Sequence, residues 1–184
     1  MREARIGIDI GRVIMAPIVG GRADTGFLSG SDTKAMKTPP SPQAFESVRR
    51  LVELLDGRVW LVSKCGSNVQ RKTRMWLDTW CFYQETGVRR GAVRFCRRRP
   101  DKALHCRELK ITHFIDDRVD VLVHLEGLVP HRYLFGEQPK LKRTPRGMHP
   151  VLDWPDALAA VLQTLQHHDA PREALADPGV QHRL

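Results

Sequence analysis

Three features of the chain predict an α/β fold with a parallel sheet covered on both faces. Apolar runs of strand length recur along it, segments of helical spacing lie between them, and its 184 residues suit one domain with a sizeable core. The strand-like runs are residues 6–10, 59–62, 92–95, 111–115 and 132–135. Strands alternating with helices at this interval need right-handed crossovers, which makes the sheet parallel and the architecture three-layered with five strands.

The helices carry their own punctuation. Ser41-Pro42 precedes Phe45, Val48, Leu51, Val52 and Leu55, with Gly57 just past the end. Ser67 and Gln70 have the spacing of a capping box ahead of Val69, Thr73, Trp76, Leu77 and Trp80. Asp101 can cap a short helix bearing Leu104 and Leu109, residues 117–126 form another that Gly127 closes, and a last helix starts at Trp154-Pro155. Residues 15–40 break the rhythm as a Gly-, Ser-, Thr- and Pro-rich insertion or flap, since a simple crossover needs only a few residues. The expected organisation is one domain over 1–168, with a basic linker at 140–150, a helix over 151–168 and a mobile tail over 169–184.

Lys plus Arg number 30 and Asp plus Glu 21, a net charge of +9 that favours anionic partners without choosing among them. No apolar run approaches the roughly 18 residues of a membrane span. The first residues pass straight into a strand instead of a signal peptide, so the expected location is cytoplasmic, with no membrane partner. Cys65, Cys81, Cys96 and Cys106 contain no CxxC pair and read as reduced thiols. His167-His168 reads as an exposed helix end, Trp76 and Trp80 as core, and Arg97, Arg98 and Arg99 taken alone as a solvated loop.

In an open parallel sheet, ligands bind beyond the carboxyl ends of the strands, so the residues there come first. Strand one ends at Asp9, strand two at Ser63-Lys64 and strand four at Asp116-Asp117, while Lys102 opens the helix leading into strand four. If strands one and four are neighbours, these carboxylates converge and stay ionised together only around a cation, and hard oxygen ligands suit magnesium. Ser63 can then hydrogen-bond a phosphate and Lys102 neutralise it. An Asp beside a metal-bound phosphate is a competent nucleophile through an aspartyl-phosphate.

The run Ile6-Gly7-Ile8-Asp9-Ile10-Gly11-Arg12, with Val62-Ser63-Lys64, Asp101-Lys102 and Phe114-Ile115-Asp116-Asp117-Arg118, resembles the four motifs of the haloacid dehalogenase superfamily of phosphatases. The resemblance covers about residues 5 to 136 and implies a Rossmann-like sheet in order 5-4-1-2-3. It also implies Asp9, Ser63 and Lys102 as catalytic, with Asp9 the nucleophile, and a magnesium set of Asp9, Gly11, Asp116 and Asp117, with Asp117 or Asp120 assisting. Arg12, Lys64 and Arg118 would bind substrate. Two departures stand out. The superfamily's usual general-acid Asp is replaced by Gly11, followed by Arg12 where Gly is usual, and general acid catalysis contributes about a hundred- to ten-thousand-fold. A cap domain does not fit between the motifs, and uncapped members resemble enzymes acting on large substrates.

The expected function is therefore magnesium-dependent hydrolysis of a phosphomonoester that is large or anionic. Arg71, Lys72, Arg74, Arg89, Arg90, Arg97, Arg98, Arg99, Lys140, Lys142, Arg143 and Arg146 offer it a phosphate-tracking surface. The alternative is a weak or inactive module that binds nucleic acid or another polyanion. Sugar kinases and actin-like ATPases share a similar opening motif, but their duplicated domain does not fit this length.

Overall fold

The structure, a computed structural model, describes residues 3–16, 18–19, 22–23 and 26–169. The sheet opens with β1 (Ile6–Ile8). The insertion follows, as a ribbon of β2 (Ile18–Val19) and β3 (Arg22–Ala23) and two short helices, α1 (Gly26–Ser29) and α2 (Asp32–Met36). Then come α3 (Ala44–Leu54), β4 (Val59–Lys64), α4 (Ser67–Thr79), α5 (Phe82–Thr86), β5 (Val93–Cys96) and α6 (Lys102–Glu108). The remainder is β6 (His113–Asp116), α7 (Val119–Val123), β7 (His131–Phe135), β8 (Met148–Val151) and α8 (Trp154–Asp169).

The fold is α/β, with a wholly parallel sheet flanked by helices, as the alternation of elements predicts. The strand count and order need correction. The sheet has six strands in the order β5-β4-β1-β6-β7-β8, which is 3-2-1-4-5-6 for the sheet-forming strands, instead of five in the order 5-4-1-2-3. The addition is β8, taken from the segment expected to be a linker. Arg132 pairs with Met148 and Phe135 with Val151, so β8 extends the sheet beside β7 without an intervening helix. Its Pro150 hides the strand in the sequence, yet an edge position tolerates a proline.

The middle of the sheet is the core. β1 and β6 are buried along their whole length because helices cover both faces of the sheet, and β6 carries the buried polar His113 and Asp116 at its two ends. Gly7 is required here: a Cβ at that position would lie 2.6 Å from the Phe114 ring on the neighbouring strand. α3 and α8 pack against each other, and buried Trp154 in α8 donates its indole N–H to the Val13 carbonyl just after β1 (2.8 Å).

The helix starts differ from the sequence reading. α3 is capped by Gln43 in a left-handed conformation, not by Ser41. The box of Ser67 and Gln70 does not form: Gly66 is the cap, and the Gln70 amide reaches back to the Cys65 carbonyl. Asp101 does occupy the α6 cap position, but its carboxylate is taken by Arg98. α7 is confined to Val119–Val123, shorter than the expected 117–126.

The insertion is strapped to α4. Lys72, buried, donates to the carbonyls of Phe27 (3.3 Å) and Gly30 (2.6 Å). Trp76 and Trp80 donate indole N–H groups to the carbonyls of Thr38 and Met36, and Arg71 forms a two-pronged pair with Asp32. Trp76 is thus a core residue as expected, edge-on to Phe45. Residues 170–184 of the tail and the side chains of His167 and His168 lie outside the described residues. Among those described, no helix is long and apolar enough to cross a membrane.

Candidate active site

β1 and β6 are hydrogen-bonded neighbours in register, with Ile8 opposite Ile115 and the Asp9 amide donating to the Ile115 carbonyl (2.9 Å). The next residue on each strand is an aspartate, so Asp9 and Asp116 emerge at the same level from the carboxyl edge. With Asp117 they bring three carboxylate oxygens within 4.8 Å of one another. β4, on the other side of β1, places Ser63 one residue beyond that level. Lys102, the first residue of α6, comes in from the side.

Lys102 is the hub. Its ammonium is 2.6 Å from Asp9 Oδ1 and 2.7 Å from Asp116 Oδ2, and its side chain is 2% exposed. Burial works against this charge, but the attraction of Asp9 and Asp116 outweighs it and holds the lysine above its ordinary pKa. Asp116 also accepts the Arg118 backbone amide at Oδ1 (2.9 Å). Burial drives its carboxyl well above the usual carboxylate range, against the lowering by Lys102. Asp117 is pushed up to about 6, first by burial and then by the charge of Asp9, with Arg12 opposing from 2.9 Å.

A cleft of about 470 Å³ lies over this cluster. Asp9, Gly11, Arg12, Ser63, Lys64, Lys102, Asp117 and Arg118 all line it, so every residue expected to serve catalysis, metal or substrate borders one space except Asp116, which is fully buried beneath it. Asp120 stands apart. Its carboxylate is held by Arg118 (Nε to Oδ1, 3.0 Å) and Arg99 (Nη1 to Oδ2, 3.4 Å), which leaves Asp117 as the third member of the cluster.

Of the basic residues offered as a phosphate-tracking surface, Arg99 lines the cleft, although its run of three arginines taken alone reads as a solvated loop. The cleft also contains residues the sequence reading missed. Met15, Phe27, Leu28 and Thr38 from the insertion form one wall. No sequence signal marked these, because their placement depends on α4 holding the insertion down. Cys65 also lines the cleft, and burial pushes its thiol up to about 11, so it is protonated near neutrality and a poor nucleophile. A second hollow of about 860 Å³ adjoins through Arg12, Asp117 and Arg118 and follows residues 135–141.

The donor set suits a hard divalent cation, since it consists of carboxylates alone. With all three aspartates ionised, the paired cations Lys102 and Arg12 leave one negative charge, a cost that burial of Asp116 and Asp117 opposes by favouring their protonated forms. A divalent cation would turn the site positive and attractive to phosphate.

The fold and this edge define an α/β protein with a buried lysine–carboxylate cluster at the carboxyl ends of its central strands. No protein-family model matches the chain, and no curated protein matches its sequence.

Proposed function

We propose that the protein is a phosphomonoester hydrolase of the haloacid dehalogenase type, with Asp9 as nucleophile and magnesium held by Asp9, Asp116, Asp117 and the backbone at Gly11. The supporting observation is the convergence of Asp9, Asp116 and Lys102 within hydrogen-bond distance at the sheet edge, with Ser63 in the same cleft. Lys102 claims Oδ1 of Asp9, and Oδ2 makes no hydrogen bond among the described residues. That oxygen attacks phosphorus, the ester oxygen departs, and an aspartyl-phosphate forms. Water then attacks this phosphorus, releasing inorganic phosphate and restoring Asp9. A bound magnesium ion supplies charge neutralisation for phosphate oxygens. Ser63 and Lys102 hold the transferring group by hydrogen bonding and charge. With glycine at position 11 the leaving oxygen takes its proton from water, which favours esters whose leaving group is already a weak base.

The test is hydrolysis of an activated aryl phosphate with magnesium and with chelator. Wild-type turnover should require the metal, and Asp9→Asn should lose at least about a thousandfold. Equal rates for the two proteins would remove the nucleophile assignment.

A further inference from the structure

Asp120 is one carboxylate shared by Arg99 and Arg118, two arginines that line the cleft over the Asp9, Asp116 and Lys102 cluster, while Asp120 itself lines the adjoining hollow. Arg118 reaches its Oδ1 at 3.0 Å and Oδ2 at 3.5 Å, and Arg99 reaches Oδ2 at 3.4 Å. Counted together with the cluster, Asp9, Asp116, Asp117 and Asp120 face Lys102, Arg12, Arg99, Arg118 and Lys64, so five cations against four carboxylates leave one positive charge. Both guanidinium groups stay accessible, at 40% and 37% side-chain exposure, so neither has spent its donors on the interior. Lys64, exposed on the same cleft, has no ion pair among the described residues. Arginine forks arranged this way match the oxygens of a phosphate group.

We infer that Arg99 and Arg118 form a second anion subsite, so that the substrate carries a second phosphate near the phosphomonoester being cleaved. The inference rests on the phosphomonoesterase reading for its first phosphate, and on the rim arginines alone for its second. The cleft's volume lies within the range of small-molecule sites. The second phosphate can belong to a small bisphosphorylated compound or to the backbone beside a nucleic-acid end. The shared chemistry is two phosphates a few bonds apart, and Arg99 and Arg118 then determine specificity.

The experiment is calorimetric titration at fixed free magnesium with three non-hydrolysed probes: propylphosphonate, propane-1,3-bisphosphonate and a dinucleotide bearing a terminal phosphonate. Wild-type protein should bind the bisphosphonate about ten- to a hundredfold more tightly than the monophosphonate. Arg99→Gln and Arg118→Gln should each shrink that ratio, and a thermal unfolding midpoint matching the wild type reports that the fold of each variant is intact. Asp120→Asn frees both arginines and should raise the ratio, a gain that misfolding cannot produce. Equal affinities, no binding of either small probe, or a ratio indifferent to all three substitutions overturns the subsite. A preference retained in a protein without aryl phosphatase activity keeps the subsite and removes the hydrolase reading, and turnover without preference does the reverse. Tighter binding of the dinucleotide than of the bisphosphonate assigns the second phosphate to nucleic acid, and the opposite order assigns it to a small molecule.

Discussion

Nothing within 4 Å would meet a Cβ built on Gly11, and the position borders the cleft above Asp9. A side chain can therefore start there without its Cβ meeting a neighbour. On the proposed phosphatase reading, Gly11→Asp adds a proton donor, and turnover of alkyl phosphates should rise by about a hundred- to ten-thousand-fold, while aryl phosphates with good leaving groups gain little. Comparing kcat for the two ester classes checks this. The following residue is under strain: Arg12 has φ 61°, a left-handed conformation that favours glycine, and keeps its guanidinium on Asp117. Asp9, Asp116, Ser63 and Lys102 were legible in the sequence because each sits at a strand end or helix start in a fixed order. Arg99 was legible only as one of twelve basic residues in a phosphate-tracking surface, because three consecutive arginines look alike until the chain path shows which one faces the cleft. The choice between Asp117 and Asp120 was equally hidden, since it turns on which carboxylate Arg99 and Arg118 capture.

Among the elements, the insertion is the one whose hold is most concentrated, and Lys72 carries much of it. Lys72→Met keeps the buried aliphatic stem but leaves the Phe27 and Gly30 carbonyls without their shared donor. The loss should be about 1–3 kcal/mol in denaturant unfolding. Proteolysis should cut residues 26–31 before the sheet opens, and affinity for any ligand touching Phe27 or Leu28 should fall with it. Five strands were readable from apolar runs. β8 was not, because only Met148 and Val151 of its four residues are buried, and His149 and Pro150 interrupt the pattern. The helix caps were misread for a related reason. Ser41 and Ser67 are good cap residues, but the chain enters α3 and α4 at Gln43 and Gly66, where the packing of the preceding loops sets the direction.

For the molecule as a whole, the cluster ties stability to pH and metal. Asp117, at about 6, and Asp116, also raised, keep protons in the folded chain at pH values where the unfolded chain has released them. The folded state then binds more protons, so this contribution to stability falls as pH rises from about 4 through 6, by on the order of 3 kcal/mol for Asp117. Asp32 and Asp101, lowered by hydrogen bonds from Arg71 and Arg98, change stability only below that window. Magnesium bound as proposed would need the ionised carboxylates and would reverse the penalty. The melting temperature with magnesium minus that with chelator should widen from pH 5 to pH 7, and Asp117→Asn should flatten it. The central position of β1 also bears on how the molecule comes into being. Its two partners begin at residues 59 and 113, and Lys102 bridges to Asp9 across 93 positions. During synthesis the first strand has no neighbour until the chain has more than sextupled its length, and the site closes only once residue 116 has left the ribosome. The cluster therefore assembles after the first four sheet strands and before β7, β8 and α8 are made, so it depends on the central half of the sheet and not on the β7–β8 edge.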